Sequence, residues 1–496
     1  MKSDYDNSPY VGCILSQLSP DSLAIGSIWS KEQRKPIINN SRYIELGCGD
    51  AANLICLAFY HSDMAFVGVD NSSRGIESAN KISNELGLDN ITLFVEDVHE
   101  FREDRYQSSC DFIVSHGLYS WVSVETRIFI LKICQNKLTQ QGLAYISYNA
   151  EPGWSTRKLV RETLLQSPAV QDANIEDKAN EAIKLATKLL EELPSRDYAH
   201  AALLGEELER VRDGDPSYVF HEYLTEHNEG FWLKDFVAHA KKYGLDYICD
   251  AQPRKHEGAE YTNIKKSLAE QEYSLVDQEQ TADLLCNRTF RASILCREDC
   301  ERIETSKEEL IQEFYIASSL KTASDTFDLT EGIVEVFLDE RNYEITLDEP
   351  ISKAAAFLLS TQWPWGDRLD ILFDKASNLL ESNRFSVKQN DYDILTKELI
   401  LLYEAGYVDF RMNEPPHYSE MPSKPKLHAL AEYELEQQRP LTSPYHLPVL
   451  FEDEMLEIVK AVDGKSTVDE LSEKYNGNTV LETVSSLSRW GLLERS

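Results

Sequence analysis

Three carboxylates stand at the ends of three successive β-rich runs, and they set the chemistry this sequence can carry. The run Tyr43-Ile44-Glu45-Leu46-Gly47-Cys48-Gly49-Asp50-Ala51-Ala52 passes from a strand into the start of a helix. Gly47 and Gly49 let the backbone approach a ligand without a Cβ clash, and the helix N-terminus offers free N–H donors. Asp70 closes AFVGVD and Asp97 closes ITLFVED. Read as Gly-x-Gly-x-x-Ala, the loop also matches a dinucleotide fingerprint. Glu45 decides between the two readings. Beside a pyrophosphate its charge would repel, whereas beside a sulfonium or an amine it would attract. Asp70 is placed to accept the ribose hydroxyls and Asp97 the adenine amino group, while a nicotinamide dinucleotide needs only the ribose acid. S-adenosylmethionine is therefore the expected cofactor and methyl transfer the expected reaction. The cofactor set comprises Glu45, Gly47, Cys48, Gly49, Asp70, Asn71, Asp97, Val98 and Ser115.

The acceptor side follows from the next two strand ends. Ser115-His116-Gly117-Leu118-Tyr119-Ser120-Trp121-Val122 follows the fourth run, and Tyr148-Asn149-Ala150-Glu151-Pro152-Gly153-Trp154 follows the fifth. In open α/β sheets ligands bind outside the carboxyl ends of the strands. Methyl transfer needs a neutral lone pair held about 3 Å from the methyl carbon. A lysine must first lose its proton, which a low-dielectric aromatic pocket favours, and aromatic faces can hold the ammonium beforehand. Tyr119, Trp121, Tyr148 and Trp154 suit that task. With His116 and Asn149 they form the candidate catalytic set, although aromatics at a sheet end serve equally well as core.

These residues need a parallel sheet to position them. Strand candidates at 43–47, 65–70, 91–97, 111–117 and 143–149 alternate with helical patterns, which predicts an α/β doubly wound sheet. Runs at 244–251 and 290–298 would complete a seven-stranded, Rossmann-like class I methyltransferase sheet, with 165–230 as a helical insertion. Residues 1–40 read as an N-terminal cap segment and 41–300 as the cofactor-binding domain. Helices expected at 307–322, 352–362, 367–382 and 391–405, closed by Tyr-Val-Asp-Phe, suggest a winged-helix-like α+β domain over 301–412. The proline-rich stretch 413–426 reads as a linker. A second helical or winged-helix-like domain is expected over 427–496, with helices at 452–461 and 466–475 and a third before Trp490.

Composition narrows the partners. Fifty Lys+Arg against 85 Asp+Glu leave a net charge of −35, which repels phosphate backbones and suits a cationic, lysine-rich protein segment better than a nucleic acid. No apolar run is long enough to insert in a membrane and no signal peptide is visible. Nine scattered cysteines without a Cys-x-x-Cys pair read as reduced thiols of a cytoplasmic protein and give no zinc site. His221-Glu222 and Glu226-His227 lack the i, i+4 histidine spacing of a metal helix, so no metal is expected.

The motifs ELGCGDAANL, HGLYSWV, YNAEPGW, HEYLTEHNEGFWLKDF (221–236) and DLLCNRTFR (283–291), in this order, resemble the methyltransferases that carry a methyltransferase regulatory domain. Among these, bacterial protein lysine methyltransferases acting on rickettsial outer membrane protein B are the members best known by activity. The resemblance covers residues 10–300 and continues through SPYHLPVLFEDEMLEIVKAVDGKSTVDEL. It implies Glu45, Gly47, Gly49, Asp70 and Asp97 as cofactor residues, residues 116–121 and 148–154 as the acceptor side, and a protein lysine as substrate. The chain departs from the family at Ala51, often glycine, at Glu151, commonly aromatic or polar, and in SQLSPDSLAIG, a loose match to a His-Pro-containing start. A small-molecule acceptor and a non-catalytic cofactor-binding interaction protein are the competing readings.

Overall fold

The computed structural model describes residues 12, 14–101, 109–194, 198–251, 259–324, 327–413 and 422–494. The chain divides into two compact units. One holds Arg34–Glu301; the other combines Ile14–Gln33 with Arg302–Ser496.

The first unit is built on one sheet. Strands β1 (Arg42–Leu46), β2 (Ala65–Asp70), β3 (Ile91–Val95), β4 (Cys110–Ser115) and β5 (Leu138–Ala150) are followed by a two-residue β6 (Gly230–Phe231), then β7 (Leu245–Asp250) and β8 (Phe290–Arg297). The order is β3-β2-β1-β4-β5-β8-β7, with β6 pairing β5 off that path. β8 runs antiparallel to both β5 and β7. The two late runs thus complete the seven-stranded class I methyltransferase sheet, and β6 is an addition the sequence pattern did not signal.

Apolar β-branched strands explain why the sheet is covered on both faces. Ile44, Leu46, Val67, Val69, Ile113, Ala144 and Ile146 point into one buried cluster beneath the helices Val124–Lys137 and Leu233–Lys241. On the other face the helix Ala52–Tyr60 packs close to β2. There a Cβ on Gly68 would meet Leu93 Cδ2 at 2.6 Å and Cys48 Sγ and Leu54 Cδ1 at 2.8 Å, so any larger residue would have to displace these side chains. Between β5 and β6 lie helices Trp154–Gln166, Ile175–Glu191 and Ala199–Asp213, which bury a core of their own around Leu164, Ala182, Leu208 and Tyr223. Residues 220–224 form a π-helical turn rather than a regular helix.

In the second unit the helix Pro20–Trp29 buries Ile25 and Ile28 among Leu310, Ile311, Phe314 and Leu399. The N-terminal region read as a cap segment therefore supplies core to the downstream unit. Residues 307–322, expected as one helix, depart from that reading. The helix stops after Lys307–Leu310, and Tyr315–Ala317 becomes the central strand between Asp367–Arg368 and Asp409–Arg411. The pairing of Ile316 with Phe410 buries both, a tertiary gain that local helix propensity cannot match. Helices Pro350–Gln362, Leu369–Ser382 and Asp391–Glu404 follow the sequence reading. A separate sheet of Lys321–Thr322, Glu335–Leu338 and Glu344–Leu347 does not. The C-terminal helices Ala429–Glu436, Asp453–Ala461, Val468–Lys474 and Gly477–Arg489 enclose Leu427, Ile458, Val484 and Leu492. Much of the proline-rich stretch lies outside the described residues. No helix among the described residues is long and apolar enough to cross a membrane.

Candidate active site

The cofactor end of the sheet is a turn held by backbone hydrogen bonds. Gly47 N and Cys48 N both donate to Val69 O, at 2.8 and 3.2 Å, so β1 stays tied to β2 past its last residue. Gly47, Gly49 and Ala51 are all left-handed, with φ of 78°, 59° and 51°. Two of the three are glycine for that reason; the third carries a methyl group.

Asp70 fastens the loop. Its Oδ2 accepts from Gly49 N and its Oδ1 from Ser72 N, both at 2.8 Å. Burial raises its pKa, and the backbone donors of Ser72, Gly49 and Asn71 act against that rise. With three backbone donors on its two oxygens, the carboxylate still keeps a lone pair for an incoming hydroxyl. Asp97 caps the short turn Val98–Glu100, its Oδ1 accepting from His99 N at 2.8 Å, and is exposed at the end of the third strand. Val98 is buried beneath it and Asn71 is exposed beside Asp70.

Glu45 is the most perturbed acid of the group. It is buried at the end of β1, where Asn53 Nδ2 donates to its Oε2 at 3.4 Å. Burial pushes its pKa up to about 8, the Asn53 hydrogen bond works against this, and the charges of Asp50 and Asp70 add to it. No ion pair reaches Glu45 among the described residues. Asp50 closes the group, accepting from Ala52 N and Gly12 N at 3.2 and 3.3 Å. Asn53 and Asp50 both stand in the quoted motif, yet spacing alone did not mark them as site residues. Ser115 Oγ is buried with no hydrogen-bond partner among the described residues, and burial raises the Cys48 thiol. A buried acid without a cation, beside two further acids and a left-handed loop, fits S-adenosylmethionine. Glu45 would face its cationic methionine part, Asp70 its ribose and Asp97 its adenine.

Register decides which acceptor-side residues share that face. Glu45 aligns with Val114 and Val114 with Tyr145. Alternation then puts Glu45, Asp70, Tyr145, Ser147 and Asn149 on one face and Ile44, Ile113, Ile146 and Tyr148 on the other. His116 belongs with the first group: its Nδ1 lies 2.9 Å from Tyr145 Oη, and its ring packs edge-on to Phe290 at 5.8 Å. Burial lowers its pKa to about 4, so the imidazole is neutral near pH 7.

Tyr119 and Tyr148 go to the opposite face. Both are fully buried in the main core, Tyr148 stacked on Phe236 at 4.2 Å. Tyr119 Oη lies 2.7 Å from His239 Nδ1 and Tyr148 Oη 2.9 Å from Ser293 Oγ. Trp121 donates its Nε1 to His221 O at 3.2 Å, and Trp154 is buried with Arg157 5.0 Å above its ring. Of the six residues proposed for catalysis, His116 and Asn149 share the cofactor face, and the aromatic four are not gathered around one acceptor.

The motif 283–291 proves to be a buried ionic cluster. Arg291, fully buried, donates to Asp283 at 2.7 and 2.8 Å and to Glu279 at 2.9 Å, while Arg288 lies 3.3 Å from Asp250. It fixes the helix Leu275–Cys286 against β7 and β8. Gly153 packs on the same turn, where a Cβ would lie 2.3 Å from Asn287 O.

Comparison with known proteins agrees with this geometry. A methyltransferase-domain family model matches residues 37–195, and a model described as a predicted methyltransferase regulatory domain matches residues 215–297. One uncharacterised protein of Rickettsia prowazekii is 30% identical over 243 residues, spanning 49% of this chain and 95% of that one. Another from the same organism is 26% identical over 408 residues, 80% of this chain and 72% of that one. Among solved structures, PKMT2 from Rickettsia typhi, also determined in complex with AdoHcy, shares the fold with a TM-score of 0.82 at 23% identity, covering 98% of this chain and 100% of that one. The chain belongs to the S-adenosylmethionine-dependent class I methyltransferases that carry a methyltransferase regulatory domain.

Proposed function

We propose that the methyl acceptor is an amine of a protein or peptide side chain, with lysine the leading candidate. The observation that carries this reading is the make-up of the cofactor face beyond the end of β4. The side chains there, His116, Tyr145, Ser147 and Asn149, carry no positive charge, the imidazole being held neutral by burial, and the Glu151 carboxylate follows them beside Gly230. Such a face suits a neutral amine; a carboxylate acceptor would call for a cation in that place. When bound, S-adenosylmethionine supplies an electrophilic methyl group on a sulfonium. The chain's own part is to hold the cofactor through Glu45, Asp70 and Asp97, to exclude water, and to align the acceptor nitrogen.

The net charge of −35 supports a cationic protein segment, since opposite charge speeds encounter and fades with salt. We assign a substrate-reading role to the second unit, since a small-molecule acceptor has no evident need of about 200 further residues. The test is to incubate the chain with methyl-labelled S-adenosylmethionine and bacterial lysate, then hydrolyse the protein fraction. Label in methyl-lysine supports the reading. Label confined to small molecules, or to esters lost in mild base, overturns it.

A further inference from the structure

The regulatory segment places an extra strand beyond the end of β4. Pairing of β4 with β5 stops at Ser115 and Ile146. Three residues further along β5, Asn149 pairs with Gly230 and Ala150 with Phe231 in β6. The other edge of β5 is taken there by β8, through Asn149 and Phe290. β6 therefore continues the line of β4 and lies along the acceptor side of the cofactor face. Asn228 enters just ahead of it.

A chain of hydrogen bonds then sets the orientation of one carboxamide. Asn228 Nδ2 donates to Glu222 O at 2.7 Å; a backbone carbonyl only accepts, so the amide nitrogen of Asn228 must lie on that side. Its Oδ1 is left facing Asn149, where it accepts from Asn149 Nδ2 at 2.7 Å. The backbone of Asn149 is held as well, its N donating to Ser120 Oγ at 2.8 Å, while Glu229 N donates to Ser120 O at 3.0 Å. With its nitrogen committed to Asn228, Asn149 presents its oxygen. That Oδ1 accepts no hydrogen bond from a described residue, although Asn149 is only 2% exposed.

We infer that Asn228 is a positioning residue, which turns the Asn149 carboxamide so that its oxygen accepts an N–H of the acceptor amine and aims the nitrogen lone pair at the methyl group. The regulatory segment thereby completes the acceptor site. This rests on the amine reading above. An oxygen acceptor at this place orients a primary or secondary amine, and has nothing to hold on an acceptor that lacks N–H.

The experiment uses the full chain, S-adenosylmethionine and a pool of lysine-containing peptides, with the best-labelled peptide carried forward. Asn149→Leu is expected to lower kcat about 100-fold, in the range seen when one oriented polar contact is removed from a reacting centre. Asn228→Leu, which frees the carboxamide to turn, should lower kcat by a similar factor of about 100. Asn228→Asp keeps the oxygen that receives Asn149 Nδ2 and, protonated in this buried place so that its hydroxyl donates to Glu222 O, should hold kcat within about fivefold of native, a rescue that a merely structural role would not give. Binding of S-adenosylhomocysteine, measured by calorimetry, should stay within about twofold for all three, because none touches the cofactor acids. Native kcat in Asn149→Leu, or equal loss in Asn228→Leu and Asn228→Asp, overturns the inference. Should Asn228→Leu fail to fold, the Asn149→Leu and Asn228→Asp rates decide alone. If native protein labels no peptide amine, the proposed function fails and this inference falls with it.

Discussion

Asn53, in the first turn of the helix after the glycine loop, reaches back to donate to Glu45 at the end of β1. Its Nδ2 lies 3.4 Å from Glu45 Oε2. Among the described residues, that hydrogen bond is the only side-chain support for a buried acid whose pKa stands at about 8.

Cofactor affinity should therefore depend on pH. Below about 8 the free protein holds Glu45 protonated, and pairing it with a cation requires the proton to leave. Affinity should rise as pH goes from 6 to 8 and then level off, changing by up to about tenfold per unit for a single linked proton. Calorimetry in two buffers of different ionisation enthalpy should show proton release, and Glu45→Gln should abolish it. Release with S-adenosylmethionine but not with S-adenosylhomocysteine assigns Glu45 to the sulfonium; release with both assigns it to the amine. Equal affinity at pH 6 and 8 would sink the assignment. The same raised pKa has a stability sign. The ligand-free fold binds the proton more tightly than the unfolded chain, so this contribution is complete below about 4.5 and is lost as pH rises through about 8.

Ala51 sits at φ 51°, in the left-handed region that favours glycine. A left-handed alanine costs about 1 kcal/mol, so Ala51→Gly should raise the unfolding free energy by roughly that amount. Urea titration at fixed pH measures it. A loss of stability would mean that the methyl group, which is fully buried, packs well enough to offset the backbone strain.

Tyr119→Phe removes the hydroxyl that meets His239 Nδ1 at 2.7 Å. Since the ring belongs to the core on the far face of the sheet, the expected result is a loss of about 1 kcal/mol in stability. Turnover and cofactor affinity at a temperature where the variant is folded should remain near native. A kcat loss without a stability loss would return Tyr119 to the catalytic set.

Arg291 neutralises Asp283 and Glu279 in a site with no water-facing surface of its own. Arg291→Met leaves the buried Asp283 with only Arg288, at 3.5 Å, while Glu279 keeps Lys265 at 2.6 Å, and should cost about 3–5 kcal/mol. Denaturant unfolding would show it. A change below about 1 kcal/mol would mean that Arg288 takes over the pairing.

Truncation near Cys300 should fail for a reason found in the second unit. Ile25, Ile28 and Trp29 pack there against Phe314, Tyr403 and Phe410, so a chain of residues 1–300 leaves this helix without its core. Such a chain should aggregate, whereas one limited to residues 34–300 should stay in solution and respond to S-adenosylhomocysteine in a melting assay. Comparing the second with the full chain on a protein acceptor and on a free amine tests whether the downstream unit reads substrate. Unchanged protein methylation in the short chain would remove that role.

The sequence by itself determined the sheet and its cofactor end. Strand–helix alternation depends on local periodicity, and the glycine loop and the acids at 45, 70 and 97 depend on short-range spacing, so both are legible in one dimension. Tertiary structure decided the rest. Whether an aromatic after a strand faces the ligand or the core depends on register, and a shift of one residue exchanges the two faces; Asn149 and Tyr148 are neighbours with opposite fates. The pairing of Asn149 with Asn228 spans 79 positions in sequence, and the two-residue β6 that brings them together is too short to leave a pattern. The helix Pro20–Trp29 likewise reads as an ordinary start to the chain, because the core it completes lies in residues after 300. Long-range pairs of this kind are chosen by the burial they permit once the sheet exists, and no local propensity records them.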